Sequence, residues 1–432
     1  MTGSSPAHRS FLFLQGPPGP FFPLLAQRLR EGGHAIRRVN LSGGDHYDWS
    51  TEAINYRGRM SQWPIYFDRL VRTHAITDIV LFGDCRPVHQ SAVRMAKLRG
   101  IRIFVFEEGY IRPDWMTLER DGVNGHSPFS RDPDLIRAAS RWLPEIPELP
   151  PITADFRRRA RDSYWHYHHV VTGRLGFPFY RTHRSHSIIG EGLGWLLKFS
   201  RARSRAEHAR RILAKIAGKK FVLFPLQLTG DYQIREHSPF DSMPQAVDYV
   251  LDSFAANAPA GQILLVKEHP LDASWRNWRA YIKRRARRLG IADRVVCIDG
   301  GDLQHLSETA VGMVCVNSTS GTLALEKGIP VVVLGDAVYD VPGITHQSGL
   351  DRFWHQPERP DRELYSAFKK ALHAKCLVRG GLASASAIET LVTNSVERLL
   401  SDDSDTVITA PHERTAMSQC APRLAVAGKQ AI

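Results

Sequence analysis

Cysteine is scarce in this chain: five in 432 residues (Cys85, Cys297, Cys315, Cys376 and Cys420), an odd number, far apart and without a CxxC pair. That pattern excludes a disulfide framework and a cysteine-based zinc site, and free thiols in a reducing compartment are the expectation. Long apolar runs are missing too. None approaches the roughly 20 residues that a membrane-spanning helix needs. The GxGxxG fingerprint of dinucleotide sites is absent after the first apolar run, no DxD stands at the end of a strand, and no fixed period repeats. The opening MTGSSPAHRSFLFLQGPPGP holds only a short apolar stretch between Arg9 and a Gly/Pro turn. It reads as a buried first strand rather than a signal peptide, so a cytosolic location is expected.

What is present is a globular composition, 43% hydrophobic and 23% charged, with a formal net charge of +13. A charge of that size calls for a polyanionic partner: nucleic acid, an anionic lipid surface or a nucleotide-bearing substrate. Nucleic acid is not expected, because the chain has no known module signature and no ordered basic and aromatic platform.

Short apolar runs alternate with helix-period segments in two regions. The first holds FLFLQG, PFFPLLAQRLREGG, HAIRRVNL, TDIVLFGD, VHQSAVRMAKLRG and IRIFVFEEG; the second, from Lys219, holds KKFVLFPLQL, QAVDYVLDSFAANA, GQILLVKEHP, DRVVCIDG, VGMVCVNS and IPVVVLGD. Such alternation is the pattern of βαβ units with a parallel sheet covered on both faces. The expected fold is therefore α/β, with two Rossmann-like domains facing a cleft at the carboxyl ends of their strands. The boundaries are expected at 1–210 and 211–400, with a basic, aromatic segment at about 155–211 and a poorly ordered tail at 401–432.

Polar residues gather where these strands end. FEEGYIRPDW places Glu107 and Glu108 after the run IRIFVF, and adjacent strand residues point to opposite faces. One glutamate can thus support structure, pairing with Arg112, while the other enters the site as a carboxylate. Gly109 permits a tight exit, and Tyr110 and Arg112 can hold an acidic substrate. An ion-pair cluster stabilising the strand end fits the spacing equally. Gln15 and Gly16 leave the first strand, and Asn40, Gly43, Gly44 and Asp45 leave the second, as candidates for close backbone approach and polar contact. Asp84 fits a cap of the following helix.

In the second region NSTSGTLALEKGIPV sets Ser318, Thr319, Ser320 and Gly321 at a strand-to-helix turn, where hydroxyls and free N–H groups suit a phosphate or simply cap the helix. Glu326, farther along that helix, suits a ribose diol. LLVKEHP puts Lys267, Glu268 and His269 at another strand mouth, where His269 can donate to a phosphate and Lys267 add a point charge, or where all three form a solvated strand end. Gln227 and Asp231 of FPLQLTGDYQIREH sit in a polar loop fit for a sugar or for solvent.

QGPPGPFF, VNLSGGDHYDW, FEEGYIRPDW, VKEHP and NSTSGTLALEKGIPV, in this order over roughly residues 10 to 350, resemble the capsule polysaccharide biosynthesis proteins of the KpsS/LipB type. The resemblance implies a GT-B-like, retaining β-Kdo transferase that places the first Kdo of CMP-β-Kdo on a phosphatidylglycerol-type lipid. It implies that Glu108 is the active-site carboxylate, supported by Glu107 and Arg112. It further implies His269 and the residues from Ser318 to Gly321 at the CMP phosphate, and Glu326 at the ribose. In related transferases that extend the linker the second acid is Asp, whereas here it is Glu108, so the chemical role of the carboxylate stays open between base, nucleophile and electrostatic stabiliser. No cofactor and no metal are expected, since cations and N–H donors can receive the anionic donor. An anionic lipid acceptor would account for Arg157 to Arg161 and Arg201 to Arg211, with Trp165, Tyr167, Trp195 and Leu196 at the interface; a solvated basic helix is the plainer reading. The resemblance places the protein on the inner face of the inner membrane, with capsule assembly and export proteins as further partners. The alternative function is a non-catalytic lipid- or polysaccharide-binding subunit of such a complex.

Overall fold

The computed structural model describes residues 8–182, 190, 194, 195, 198, 200–272 and 276–401. Leu196, Cys420 and, apart from Ser401, the expected tail at 401–432 lie outside the described residues. The four described cysteines are buried free thiols. No helix among the described residues is long and apolar enough to cross a membrane.

The chain forms two α/β units. In the first, β1 (Ser10–Phe13), β2 (Ala35–Asn40), β3 (Ala53–Asn55), β4 (Asp78–Phe82) and β5 (Arg102–Glu108) are parallel, and β6 (Trp115–Arg120) returns antiparallel to β5. Strand residues alternate between two cores. Phe11, Phe13, Phe104 and Phe106 pack with helix Phe21–Glu31; Leu12, Leu14, Ile103 and Val105 pack with helices Trp63–Thr73 and Pro87–Leu98. Burial on both faces is why these strands read as continuous apolar runs.

In the second unit β7 (Phe221–Pro225), β8 (Ile263–Lys267), β9 (Val295–Ile298), β10 (Gly312–Cys315) and β11 (Val331–Val333) form an all-parallel sheet in the order β11-β10-β7-β8-β9. Val222, Phe224, Leu264, Val266 and Val314 pack on helices Met243–Asn257 and Trp278–Arg288.

The linear boundaries at 210 and 400 do not survive. β12 (Leu377–Arg379) pairs antiparallel with β6, and helix Ala385–Leu400 buries Leu391 and Leu399 in the core that holds Leu25 and Leu29. Each such side chain stabilises by about 1.5–3 kcal/mol. Residues 369–401 therefore complete the first unit, while residues 129–141 join the second, where Arg137 bonds Asp361 at 2.8 Å and Phe129 stacks edgewise on Phe368. The basic segment divides likewise: helix Phe156–Thr172 belongs to the first unit and helix Ala202–Ile216 to the second.

Each sheet reverses its strand order once, between β1 and β4 in the first unit and between β7 and β10 in the second. The carboxyl ends flanking such a reversal are where open α/β sheets bind ligands. Gln15 leaves β1 at the first of them; Gln227 and Asn317 follow β7 and β10 at the second.

Candidate functional site

Glu107 and Glu108 are the last two residues of β5, and the strand alternation sends them to opposite faces. Glu107 follows Ile103 and Val105; Glu108 follows Phe104 and Phe106. Glu107 accepts the Glu108 N–H at 3.0 Å. Burial pushes its carboxyl up to about 7, a rise that the neighbouring Glu108 carboxylate reinforces. Glu108 is 27% exposed and pairs with the Arg159 guanidinium, itself 43% exposed, from helix Phe156–Thr172.

Two expected partners are elsewhere. The chain doubles back at Gly109, where a Cβ would overlap the Trp115 carbonyl oxygen. That turn carries Arg112 to the surface, where its Nε donates to the Gly109 carbonyl at 3.3 Å rather than to either glutamate. Tyr110 turns inward instead of toward a substrate. It is 2% exposed, donates to Glu119 Oε1 at 2.6 Å and accepts the Asn124 N–H at 2.6 Å. Ser127 donates to the other Glu119 oxygen, and burial raises the Glu119 carboxyl to about 7.

The candidates at the ends of β1 and β2 form one buried network. Gln15 Nε2 donates to Asp45 Oδ2 at 3.1 Å and to the Tyr180 hydroxyl at 3.2 Å. Asp45 also accepts from the Leu41 N–H at 3.1 Å and the Ser42 hydroxyl at 2.9 Å, and lies 3.4 Å from Arg38. Asn40 accepts from Arg38 Nε at 2.9 Å and donates to the Trp49 carbonyl at 2.9 Å. These groups satisfy one another, as buried polar groups must. Gly16 is packed on the Phe22 ring, where a Cβ would lie 2.6 Å from Cδ2. Gly43 and Gly44 admit a helix rather than a ligand: a Cβ on Gly43 would overlap the His169 carbonyl, and one on Gly44 would lie 2.7 Å from the His166 carbonyl. The same helix holds His166 against Asp48 at 2.6 Å.

In the second unit Lys267 ends β8. It is 5% exposed and has no side-chain hydrogen bond or ion pair among the described residues. Burial lowers its pKa, against the pull of Asp299 and Asp302. An unpaired buried ammonium is costly unless an anion arrives. Glu268 follows, raised to about 7 by burial and by Asp299. His269 Nδ1 accepts the Leu271 N–H at 3.1 Å, so its neutral ring carries the proton on Nε2. Lys198 fastens this loop through the His269 and Asp272 carbonyls, at 3.2 and 2.9 Å.

After β10, Ser318 Oγ donates to Ser320 Oγ at 2.9 Å and accepts the Ser320 N–H at 3.2 Å. Thr319 stands at the N-cap of helix Ser320–Glu326 without a side-chain capping bond. Gly321 lies against the Tyr339 ring, where a Cβ would be 2.7 Å from Cε2. Glu326 is exposed at the far end of that helix, about 9 Å from its start at 1.5 Å per residue. The structure therefore does not bring Glu326 to the serine turn. Gln227 Nε2 donates to Asn317 Oδ1 at 2.8 Å and Asn317 N to Gln227 Oε1 at 3.3 Å, tying the ends of β7 and β10 together. Asp231 caps helix Tyr232–Glu236 and accepts from Gln227 at 3.3 Å.

In the second unit, the buried Lys267 without a side-chain partner among the described residues suits an anionic ligand. The chain belongs to the capsule polysaccharide biosynthesis protein family, whose profile it matches over residues 77–382. It is 34% identical over 378 residues to the capsule polysaccharide export protein KpsS of Escherichia coli, covering 86% of this chain and 96% of that one. It is 34% identical over 379 residues to the capsule polysaccharide modification protein LipB of Neisseria meningitidis, covering 83% of this chain and 88% of the relative. The solved structure of Thermosulfurimonas dismutans KpsC, a beta Kdo 2,7 transferase, aligns with 90% of this chain and 100% of its own at 12% identity and a TM-score of 0.44, a likeness too slight to guide the chemistry.

Sequence reasoning missed Arg159 as the partner of Glu108, having assigned the whole run from Arg157 to Arg161 to a lipid surface. A signal was there: Arg159, Asp162, His166 and Val170 recur at helical spacing, one inward stripe on a helix whose other positions are mostly cationic and aromatic. Asp162 and His166 show the stripe in place, the first beside Gly19 and the second on Asp48.

Proposed function

We propose that this protein is a retaining glycosyltransferase that moves β-Kdo from CMP-β-Kdo to a phosphatidylglycerol-type lipid, starting the linker of a capsular polysaccharide. The observation that carries the reading is Glu108, partly exposed at the carboxyl end of β5 and held by Arg159, in a chain of this family. The anomeric C–O bond to the CMP phosphate breaks and its electron pair leaves with CMP. A new anomeric C–O bond forms to the acceptor oxygen, whose proton is released. Glu108 is the carboxylate of this reading, and Lys267 and the His269 Nε2–H are its donors to the CMP phosphate. Ser318, Thr319, Ser320 and Gly321 complete that phosphate site, and Glu326 enters the reading as a ribose ligand only if the donor extends along its helix. Because Lys267 is a built-in cation, the reaction is proposed to run without a metal, at the cytoplasmic face of the membrane. The GT-B-like arrangement and the tie to capsule export proteins are part of the same reading.

The test is incubation with CMP-Kdo generated in situ and a phosphatidylglycerol acceptor, with and without a chelator, followed by mass analysis of the lipid. A mass increment of one Kdo that is insensitive to the chelator and lost in Glu108→Gln is expected. No increment, with lipid binding intact, would assign the chain to a non-catalytic binding role.

A further inference from the structure

The second unit carries a cationic surface for which the transfer chemistry has no use. Helix Trp278–Arg288 buries Trp278, Ile282 and Ala286 and turns Arg279, Lys283 and Arg287 outward. These three stand at i, i+4 and i+8, a row about 12 Å long, and none has an ion-pair partner among the described residues. Arg285 on this flank bonds Asp252 at 2.6 and 2.8 Å. On the opposite face of the sheet, helix Ala202–Ile216 buries Ala209 and Ile216 and exposes Arg203, Arg210 and Arg211.

Between the two helices lies β9, the edge strand of the sheet. His208 reaches over that edge, with Nε2 3.3 Å from the Cys297 carbonyl. Its pKa is lowered first by burial, then by Arg279 from one helix and Arg211 from the other. The cations of both helices therefore converge on the same edge.

We propose that this two-helix face over the β9 edge docks the protein on the headgroups of an anionic phospholipid bilayer. Charge complementarity is the argument: a row of unpaired cations on each side of one edge, in a chain of net charge +13, meets a surface of mobile phosphates that adapts to their spacing. Nucleic acid fits less well, because the aromatic rings of this face are covered and cannot stack on bases. Trp278 is buried, the Arg276 guanidinium lies over its ring at 5.5 Å, and the Tyr281 hydroxyl is bonded to Asp248 at 2.8 Å. The proposal rests on the proposed function for the membrane at which the protein works, while none of these cations is among the groups placed at the donor or beside Glu108.

The test is cosedimentation of the full chain with vesicles of phosphatidylcholine alone or containing phosphatidylglycerol, at low and high salt. The parent protein is expected to bind only the phosphatidylglycerol vesicles and to be released by salt. In the triple variant Arg279→Gln, Lys283→Gln, Arg287→Gln the vesicle affinity falls on the order of a hundredfold, each cation contributing about fivefold, with the melting temperature unchanged. Arg203→Gln, Arg210→Gln, Arg211→Gln is the second variant should the first not fold. Equal vesicle binding by variant and parent overturns the proposal. So does tighter binding of a duplex DNA oligonucleotide than of vesicles, lost in the same variant, which would assign the face to nucleic acid.

Discussion

Removing the guanidinium of Arg159 separates a site role from a structural one. The Arg159–Glu108 pair is partly open to water, its side chains 43% and 27% exposed, so Arg159→Ala forfeits at most about 1 kcal/mol of stability. In a unit of this size that lowers the melting temperature by about 2–4 °C. The effect on transfer is expected to be far larger. Without Arg159 nothing else described bonds the Glu108 carboxylate, which is then free to swing away from the reacting carbon. Such misplacement costs on the order of a hundredfold in rate, about 2.7 kcal/mol of activation free energy at 1.36 kcal/mol per factor of ten. The assay is the initial rate of CMP release with saturating acceptor, run beside a thermal melt. Arg159→Lys, which keeps the charge but not the planar fork, is expected to recover part of the rate. A rate equal to the parent's in Arg159→Ala, or loss of activity only alongside a collapsed melt, refutes the reasoning.

Glu119→Gln tests the buried carboxyls. Glu107, Glu119 and Glu268 are each raised from 4.5 to about 7, burial being the largest cause. The folded chain thus keeps protons that the unfolded chain releases. Their contribution to stability is intact near pH 4.5 and lost as pH rises toward 7, by up to about 1.4 kcal/mol per pH unit for each group. Gln keeps an oxygen that accepts from Tyr110 and an amide N–H that can donate to the Ser127 hydroxyl, so the variant should melt at a temperature less dependent on pH across that window; an unaltered slope would count against the assignment. Gly44→Ala drives a methyl to 2.7 Å from the His166 carbonyl. It should cost about 1–3 kcal/mol, read by denaturant titration, and a neutral result would mean helix Phe156–Thr172 does not seat there. Lys267→Met removes an unpaired buried charge, so the melt should hold or rise while CMP affinity, followed by calorimetry, falls at least about tenfold. Unchanged CMP affinity would take Lys267 out of the donor site.

The strand-end placement of the candidate residues was legible because its signal is local. Period-two alternation in IRIFVFEE separates Phe104 and Phe106 from Ile103 and Val105, and so separates Glu108 from Glu107. Lys267 and the serine turn were likewise placed by where their strands end. The errors are all non-local. Arg112, three residues past the Gly109 turn, looked like the natural partner of a glutamate, yet the partner comes from Arg159, 51 residues from Glu108 along the chain. Gln15 and Asp45, read as substrate ligands, are 30 residues apart and bonded to each other.

By itself the sequence determined the parallel strands at the heart of both sheets, the strand ends that carry polar residues, and the family, since hydrophobic period and motif order are properties of short stretches. Only the tertiary structure decided that β12 and the helix after it close the first sheet, that the SGG glycines receive a helix, and that Tyr110 faces Glu119. Each of these depends on which distant backbone or side chain fills a space. A pattern of residue types states that a carboxylate stands at a strand end; packing alone states what holds it there.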